Sequence, residues 1–282
     1  MPVNDELGKR MKLYYEQIPQ TKLLRRTPVA IRIDGKAFHT FTKGFRKPFD
    51  DVLIKSMQET AKYLCENIQG CVLGYTQSDE ITLILIDYQN LNTSAWFDYK
   101  VQKICSIAAS MATMVFNRVF AKMVDDISIS IQWADTYSSD IDKDGIYENL
   151  PYIAAYEKAI EKGAMFDARC FNIPKEEVTN LIYWRQLDAI RNSIQMVGQA
   201  NFSHSELQNK SCKDIQNILM LQKNIINWND YPTYKKRGTC IVRRKKNMQN
   251  TSDKCRTEWV IDTDIPMFNG EYREYIEEKI IF

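Results

Sequence analysis

Residues 28–34, "PVAIRID", alternate apolar and polar positions with a period of two, which predicts a β-strand. The period then lengthens. Phe49, Leu53, Met57, Leu64 and Ile68 recur at helical spacing, Asp50 and Asp51 suit a first turn, and Gly70 stops the helix. "CVLGY" and "ITLILID" follow as two strands joined by "TQSDE", a polar hairpin connection. A second long helix is predicted over 99–120, with Ile104, Ile107, Ala108, Met111 and Val115 on one face. "MFDARCFNI" (165–173) closes this half as a strand ended by Pro174.

Strand, helix, hairpin, helix, strand is the split βαβ, ferredoxin-like order. The expected fold class is therefore α+β: a palm with an antiparallel sheet and helices on one face, plus a helical and hairpin C-terminal extension. Its boundaries are 1–174 for the palm-like domain and 175–282 for the extension. Residues 122–164 read as an insertion in which "ISISIQW" alternates like a strand and "YIAAYEKAIEKG" is helical. Past Pro174 come a long helix, one or two shorter ones, and a cationic stretch, "YKKRGTCIVRRKK", expected to form a hairpin around Gly238.

Composition narrows the class. With 282 residues, 44% hydrophobic and 26% charged, the chain is an ordinary globular protein and not a disordered one. A net charge of +2 means that any nucleic-acid binding must come from local patches. Seven cysteines without a C-x-x-C pair, and only two histidines, argue against a disulfide framework or structural zinc. Free thiols fit a reducing compartment, the N-terminus lacks an apolar leader core, and no apolar run approaches membrane-spanning length, so a cytoplasmic protein without membrane association is expected.

The chemistry enters at two strand ends. Asp34-Gly35-Lys36 terminates the first strand, and Ser78-Asp79-Glu80 stands at the hairpin turn. In a split βαβ sheet these two ends lie side by side, so Asp34 and Asp79 should converge. Two adjacent carboxylates call for a cation, and Mg²⁺ suits carboxylate and carbonyl oxygens while leaving room for phosphates. Gly35 would offer its carbonyl as a further ligand. Polymerase palms use two such ions ~3.5–4 Å apart for in-line displacement. Arg32, Lys36, Lys47 and Lys103 are candidates to face a triphosphate, with His39 and Ser78 as hydrogen-bonding partners. The alternative is that both motifs are turn signals.

"RIDGKAFHTFTKGFRKPFDD", "GYTQSDEITLILI", "KVQKICSIAASMATMVF" and "YWRQLDAIRNSI" together resemble the tRNA-histidine guanylyltransferase-like family, and more narrowly its bacterial-type branch. The resemblance covers roughly residues 20–245. It implies a 3′–5′ nucleotidyltransferase that acts on tRNA 5′ ends with Mg²⁺ and nucleoside triphosphates, and a homotetramer. A 5′-monophosphate is activated by ATP or GTP, and the 3′-hydroxyl of an incoming nucleotide then attacks it. By position, Asp34, Asp79 and Glu80 match the catalytic acids, and Asp34, Gly35 and Asp79 the metal ligands. Lys36, Ala37, Phe38, His39, Lys47, Ser78 and Lys103 match nucleotide contacts.

Relatives dedicated to histidine tRNA carry "HINN" where this chain has Ile190 in "DAIRNSI". That departure favours template-dependent 5′-end repair over untemplated guanylate addition. A palm-type nucleotide cyclase is disfavoured because Gln77 and Ser78 stand where paired glycines would. A non-catalytic RNA-binding module would be favoured by loss of an acid, and none is lost.

For RNA contact the candidates are Lys235, Lys236, Arg237, Arg243 and Arg244, with Lys245 and Lys246 beside them, and Arg185, Arg191 and Asn192 on the "WRQLDAIRN" helix. A solvated hairpin is the alternative for the first group. Trp184 is expected in the core. "DIDKDG" (140–145) copies the start of a calcium loop, but Pro151 stands where a bidentate Glu is needed.

Overall fold

Strand β1 (Val29–Gly35) buries Val29, Ile31 and Ile33 on one face and Ala30 on the other, so it is central to its sheet. A computed structural model of the chain describes residues 5–137, 147–222, 226–245 and 257–281. The first long helix, α1 (Asp51–Asn67), starts where the Asp50 carboxylate accepts the Leu53 amide at 2.9 Å, an N-cap that satisfies one otherwise orphaned donor. It buries Met57, Ala61 and Leu64 and ends before Gly70, which adopts φ +81°. β2 (Cys71–Gln77) and β3 (Glu80–Leu85) pair through Gln77 and Glu80, leaving a two-residue turn of Ser78 and Asp79.

Helix α2 runs over Val101–Tyr137, well past the expected end at 120. "ISISIQW" is helical, not a strand: Val124 and Ile131 continue the buried row of Ile104, Ala108, Ala112, Phe116 and Phe120, while Ile129 is exposed. Residues 101–133 are also long and apolar enough to cross a membrane by length and composition, contrary to the expectation from the sequence. The buried row packs this helix into the core of the sheet. The helical half of the insertion is α3 (Ile153–Lys162), with Tyr156 buried against α2. The calcium-like stretch and Lys246 lie outside the described residues.

β4 (Phe166–Asn172) completes the palm, and the sheet order is β4-β1-β3-β2-β5-β6, antiparallel throughout. The first four strands are the split βαβ arrangement, with α1 and α2 sharing one face. The second face is covered by the C-terminal helix α4 (Val178–Asn201), through Val178 and Ile182 against Ala30 and Ile84. Helix α5 (Cys212–Gln222) packs on the far end of α4. The hairpin expected around Gly238 is absent. Instead a short helix, α6 (Thr233–Arg237), turns at Gly238 into β5 (Thr239–Lys245), which adds to β2 and pairs with β6 (Thr257–Asp262). Helix α7 (Glu274–Ile280) closes the second face with Ile276 and Ile280.

Candidate active site

The ends of β1 and of the β2–β3 hairpin meet as their order requires. Asp34 stands opposite Glu80 in register, and the Gly35 amide donates to the Asp79 carbonyl at 3.1 Å. Burial and the Glu80 and Asp167 carboxylates push the Asp34 carboxyl above its ordinary range, while Arg169 and Arg32 pull it back. Burial likewise pushes Asp79 up, partly offset by a backbone amide and by the Ser78 hydroxyl, which donates at 3.0 Å; the charge on Asp34 adds to the rise. Two desolvated carboxyls, with Glu80 raising both and Asp34 raising Asp79, form a site that favours a bound cation.

Mg²⁺ fits the donor set. Asp34, Asp79 and the Gly35 carbonyl supply hard oxygen atoms and leave positions for water or phosphate. Among the described residues no group of three or more His, Cys, Asp or Glu is arranged to hold a metal, so the protein oxygens supplied here are those of two carboxylates and one carbonyl. Gly35 has a packing reason as well: a Cβ there would sit 2.3 Å from the Phe38 ring. Phe38 is core, its ring centroid 5.1–5.6 Å from those of Phe41, Phe116 and Phe166.

Beside the acids opens a cleft of roughly 360 Å³ lined by His39, Arg46, Lys47, Asp50, Ser78 and Asp79, among others. Ala37 turns the chain into it with φ 54°, a left-handed conformation that an alanine adopts at a cost. Lys36 and His39 are exposed next to this turn, and His39 Nε2 lies 3.0 Å from the Thr40 hydroxyl. A smaller pocket of about 80 Å³ continues past Ser78 to Gln58, Asn192, Ser193, Lys236 and Thr239. The sequence missed Arg46 and Asp50 as lining residues. Asp50 had been read only as a helix start, yet its buried carboxylate also accepts the Tyr156 hydroxyl at 2.7 Å.

Several candidates stand elsewhere. Lys103 is not in the cleft. It sits in the first turn of α2 with its ammonium 5.0 Å from the Phe97 ring centre, about 15 Å of helix before Thr113, whose hydroxyl accepts the Phe166 amide at the carboxylate end. Glu80 does not stand free as a third acid. It is buried, and Arg32 donates to it at 2.8 Å. Arg185 Nε lies 2.7 Å from Glu80 Oε1 as an ion pair outside hydrogen-bond alignment, and Arg185 also pairs with Asp188 at 2.6 Å. Arg185 is therefore buried and committed, not a surface cation for RNA. Trp184 reverses its expectation too, being 52% exposed.

The remaining cations divide. Lys235 pairs with Asp51 at 2.8 Å, and Lys236 donates to the Asn229 carbonyl at 2.6 Å, with burial lowering its pKa. Arg237 is half-buried, and its carbonyl accepts the Tyr75 hydroxyl at 2.7 Å. Arg191 and Arg244 are exposed and paired with Asp188 and Asp262. Arg243 is exposed over the Trp259 ring at 4.7 Å, and Asn192 donates to Asp188 at 3.3 Å.

Comparison with known proteins adds an independent observation. Residues 8–174 match the sequence profile of the family described as Thg1, tRNAHis guanylyltransferase. A solved bacterial tRNA(His) guanylyltransferase (Thg1)-like protein in complex with ATP is 39% identical, with a TM-score of 0.75, covering 99% of this chain and 100% of that one. A second such structure, in complex with GTP, is 37% identical with a TM-score of 0.73 and covers 98% and 99%. The tRNA(His) guanylyltransferase of Saccharomyces cerevisiae is 24% identical over 77% of this chain and 82% of its own length.

Proposed function

The chain belongs to the tRNAHis guanylyltransferase family and is a nucleotidyltransferase, and from that premise we propose that it repairs truncated tRNA 5′ ends by template-dependent addition in the 3′–5′ direction. The observation that carries this reading is the convergence of Asp34 and Asp79, from segments 45 positions apart, beside a cleft lined by His39 and Lys47. Binding of ATP and GTP by the bacterial relatives supports nucleoside triphosphates as substrates.

The proposed sequence has two displacements. In the first, an oxygen of the tRNA 5′-monophosphate attacks the α-phosphorus of ATP and pyrophosphate leaves. In the second, the 3′-hydroxyl of the incoming nucleotide attacks the activated 5′-phosphate and AMP leaves. Held by Asp34, Asp79 and the Gly35 carbonyl, a pair of Mg²⁺ ions would supply charge neutralisation and acidify the attacking hydroxyl. The protein's own groups do the positioning. Lys47 offsets the triphosphate charge in the cleft, beside Arg46, whose guanidinium pairs with Glu148, and His39 offers a hydrogen bond beside it. The bend at Ala37 aims this segment at the carboxylates. Glu80 acts on the site from behind, anchoring the hairpin through Arg32 and Arg185.

Ile190 supports repair over untemplated guanylate addition, because an apolar side chain packed against the Phe49 and Ile194 cluster replaces the histidine of the dedicated relatives. Assembly as a homotetramer belongs to the same reading. Exposed Leu7, Leu13, Tyr15 and Ile18 in the N-terminal segment are the kind of surface that a subunit contact covers.

The test uses a tRNA lacking its first nucleotide, with ATP, Mg²⁺ and each nucleoside triphosphate in turn. Extension only by the nucleotide complementary to the 3′ strand, lost in Asp79→Ala, is expected. Guanylate addition regardless of the template base would contradict repair, and cyclic nucleotide formed without RNA would point to a cyclase.

A further inference from the structure

Trp184 is a large aromatic left half in solvent on a helix whose other face is core. Its ring is braced from the protein side. The Arg185 guanidinium lies 4.4 Å from the ring centre and that of Arg32 5.2 Å. Both guanidiniums are fixed by Glu80, and Arg185 by Asp188 as well, so the indole rests on a rigid cationic floor. Along α4, Leu187 and Arg191 follow at helical spacing and are exposed with it, 44% and 62% respectively. On the sheet, Arg32 stands opposite Arg169 of β4, whose side chain is also exposed and makes a solvent-facing ion pair with Asp167 at 3.3 Å that a phosphate can displace. An aromatic platform between surface arginines is the composition that binds unpaired nucleobases with their phosphates.

Its place selects the ligand. Arg32 precedes Asp34 by two residues, about 7 Å of strand, a length that one nucleotide bridges. The nucleotide cleft lies in the other direction. It meets α4 at Met196 and Gln199, twelve and fifteen residues beyond Trp184, or about 18 Å and more along the helix. Two ligands can therefore approach Asp34 and Asp79 from opposite sides. We propose that the exposed face of Trp184 is the stacking platform for the 5′-terminal nucleobase of the RNA substrate, with Arg169 and Arg191 facing its phosphates. This rests on the reading of the carboxylates as the site of addition to an RNA 5′ end.

Binding, measured separately from turnover, tests it. Trp184→Ala should weaken affinity for tRNA by about 5- to 150-fold, the range for loss of one base–aromatic stack, while the KM for nucleoside triphosphate stays the same. Trp184→Phe should restore most of the affinity. Replacing the 5′-terminal base of the tRNA by an abasic residue should weaken wild-type binding by a similar factor and leave Trp184→Ala indifferent. Unchanged tRNA affinity in Trp184→Ala, or an equal abasic penalty in both proteins, would overturn the assignment. A change in molecular mass by light scattering with tRNA affinity intact would give the ring to a subunit contact instead. Because affinity is read without catalysis, these failures are distinct from a wild-type protein that binds tRNA and adds nothing to it.

Discussion

Asp79 is a residue whose cost to the fold and use to the site have opposite signs. Its carboxyl is pushed above the ordinary range, chiefly by burial, so the folded protein disfavours the ionised form. For an acid with a raised folded-state pKa, the penalty is fully present above that pKa and disappears as pH falls below the unfolded value. In chelator, without divalent ions, Asp79→Asn should therefore melt above the wild type at pH 7.5, with ~2–4 °C expected for each kcal/mol relieved. The advantage should narrow toward pH 4. An equal or lower melting temperature at pH 7.5 would contradict the desolvation account. That Asp34, Gly35 and Asp79 come together was legible in the sequence because acids at the ends of apolar strands are anomalous. The role of Glu80 was not, since Arg185, its partner, stands 105 positions away and only the packing of α4 brings the two together. Trp184 was misread for a related reason: its own segment could not say which side of the helix meets the sheet.

Among elements, the βαββαβ order was legible because period two and period 3.6 alternate cleanly up to residue 120 and each strand is short. "ISISIQW" misled because Ile127, Ile129 and Ile131 fit a strand, while Val124, Ile127 and Ile131 equally fit a helix face. The preceding 26 residues of helix decide the matter by continuing. The cationic segment misled at Gly238, whose turn signal joins a helix to a strand instead of two strands. There the backbone adopts φ +81°, and a Cβ would meet the Tyr75 hydroxyl at 2.6 Å and the Thr76 carbonyl at 2.7 Å. Gly238→Ala should thus cost about 2 kcal/mol or more from strain and displacement of the β2 edge, read by urea denaturation. A variant as stable as the wild type would mean that the α6–β5 junction is not built as described.

At the scale of the molecule, the C-terminal region does more than append to the palm. β5 and β6 extend its sheet, and α4 and α7 cover the face that the palm's own helices leave open. Nothing local in the sequence announces this, because β5 joins β2 across more than 160 positions. The arrangement gives α4 its reach, from the braced Trp184 past Glu80 to the cleft that Ser78 and Asp79 line, so that one helix borders the carboxylates on both sides. The joint action of Asp34 and Asp79 as one divalent-cation site is tested most directly by Mn²⁺ titration, followed by electron paramagnetic resonance in the presence of a non-hydrolysable GTP analogue. Two bound ions per chain are expected in the wild type, with tight binding lost in Asp34→Asn and in Asp79→Asn alike. Wild-type Mn²⁺ binding in either variant would contradict the shared site.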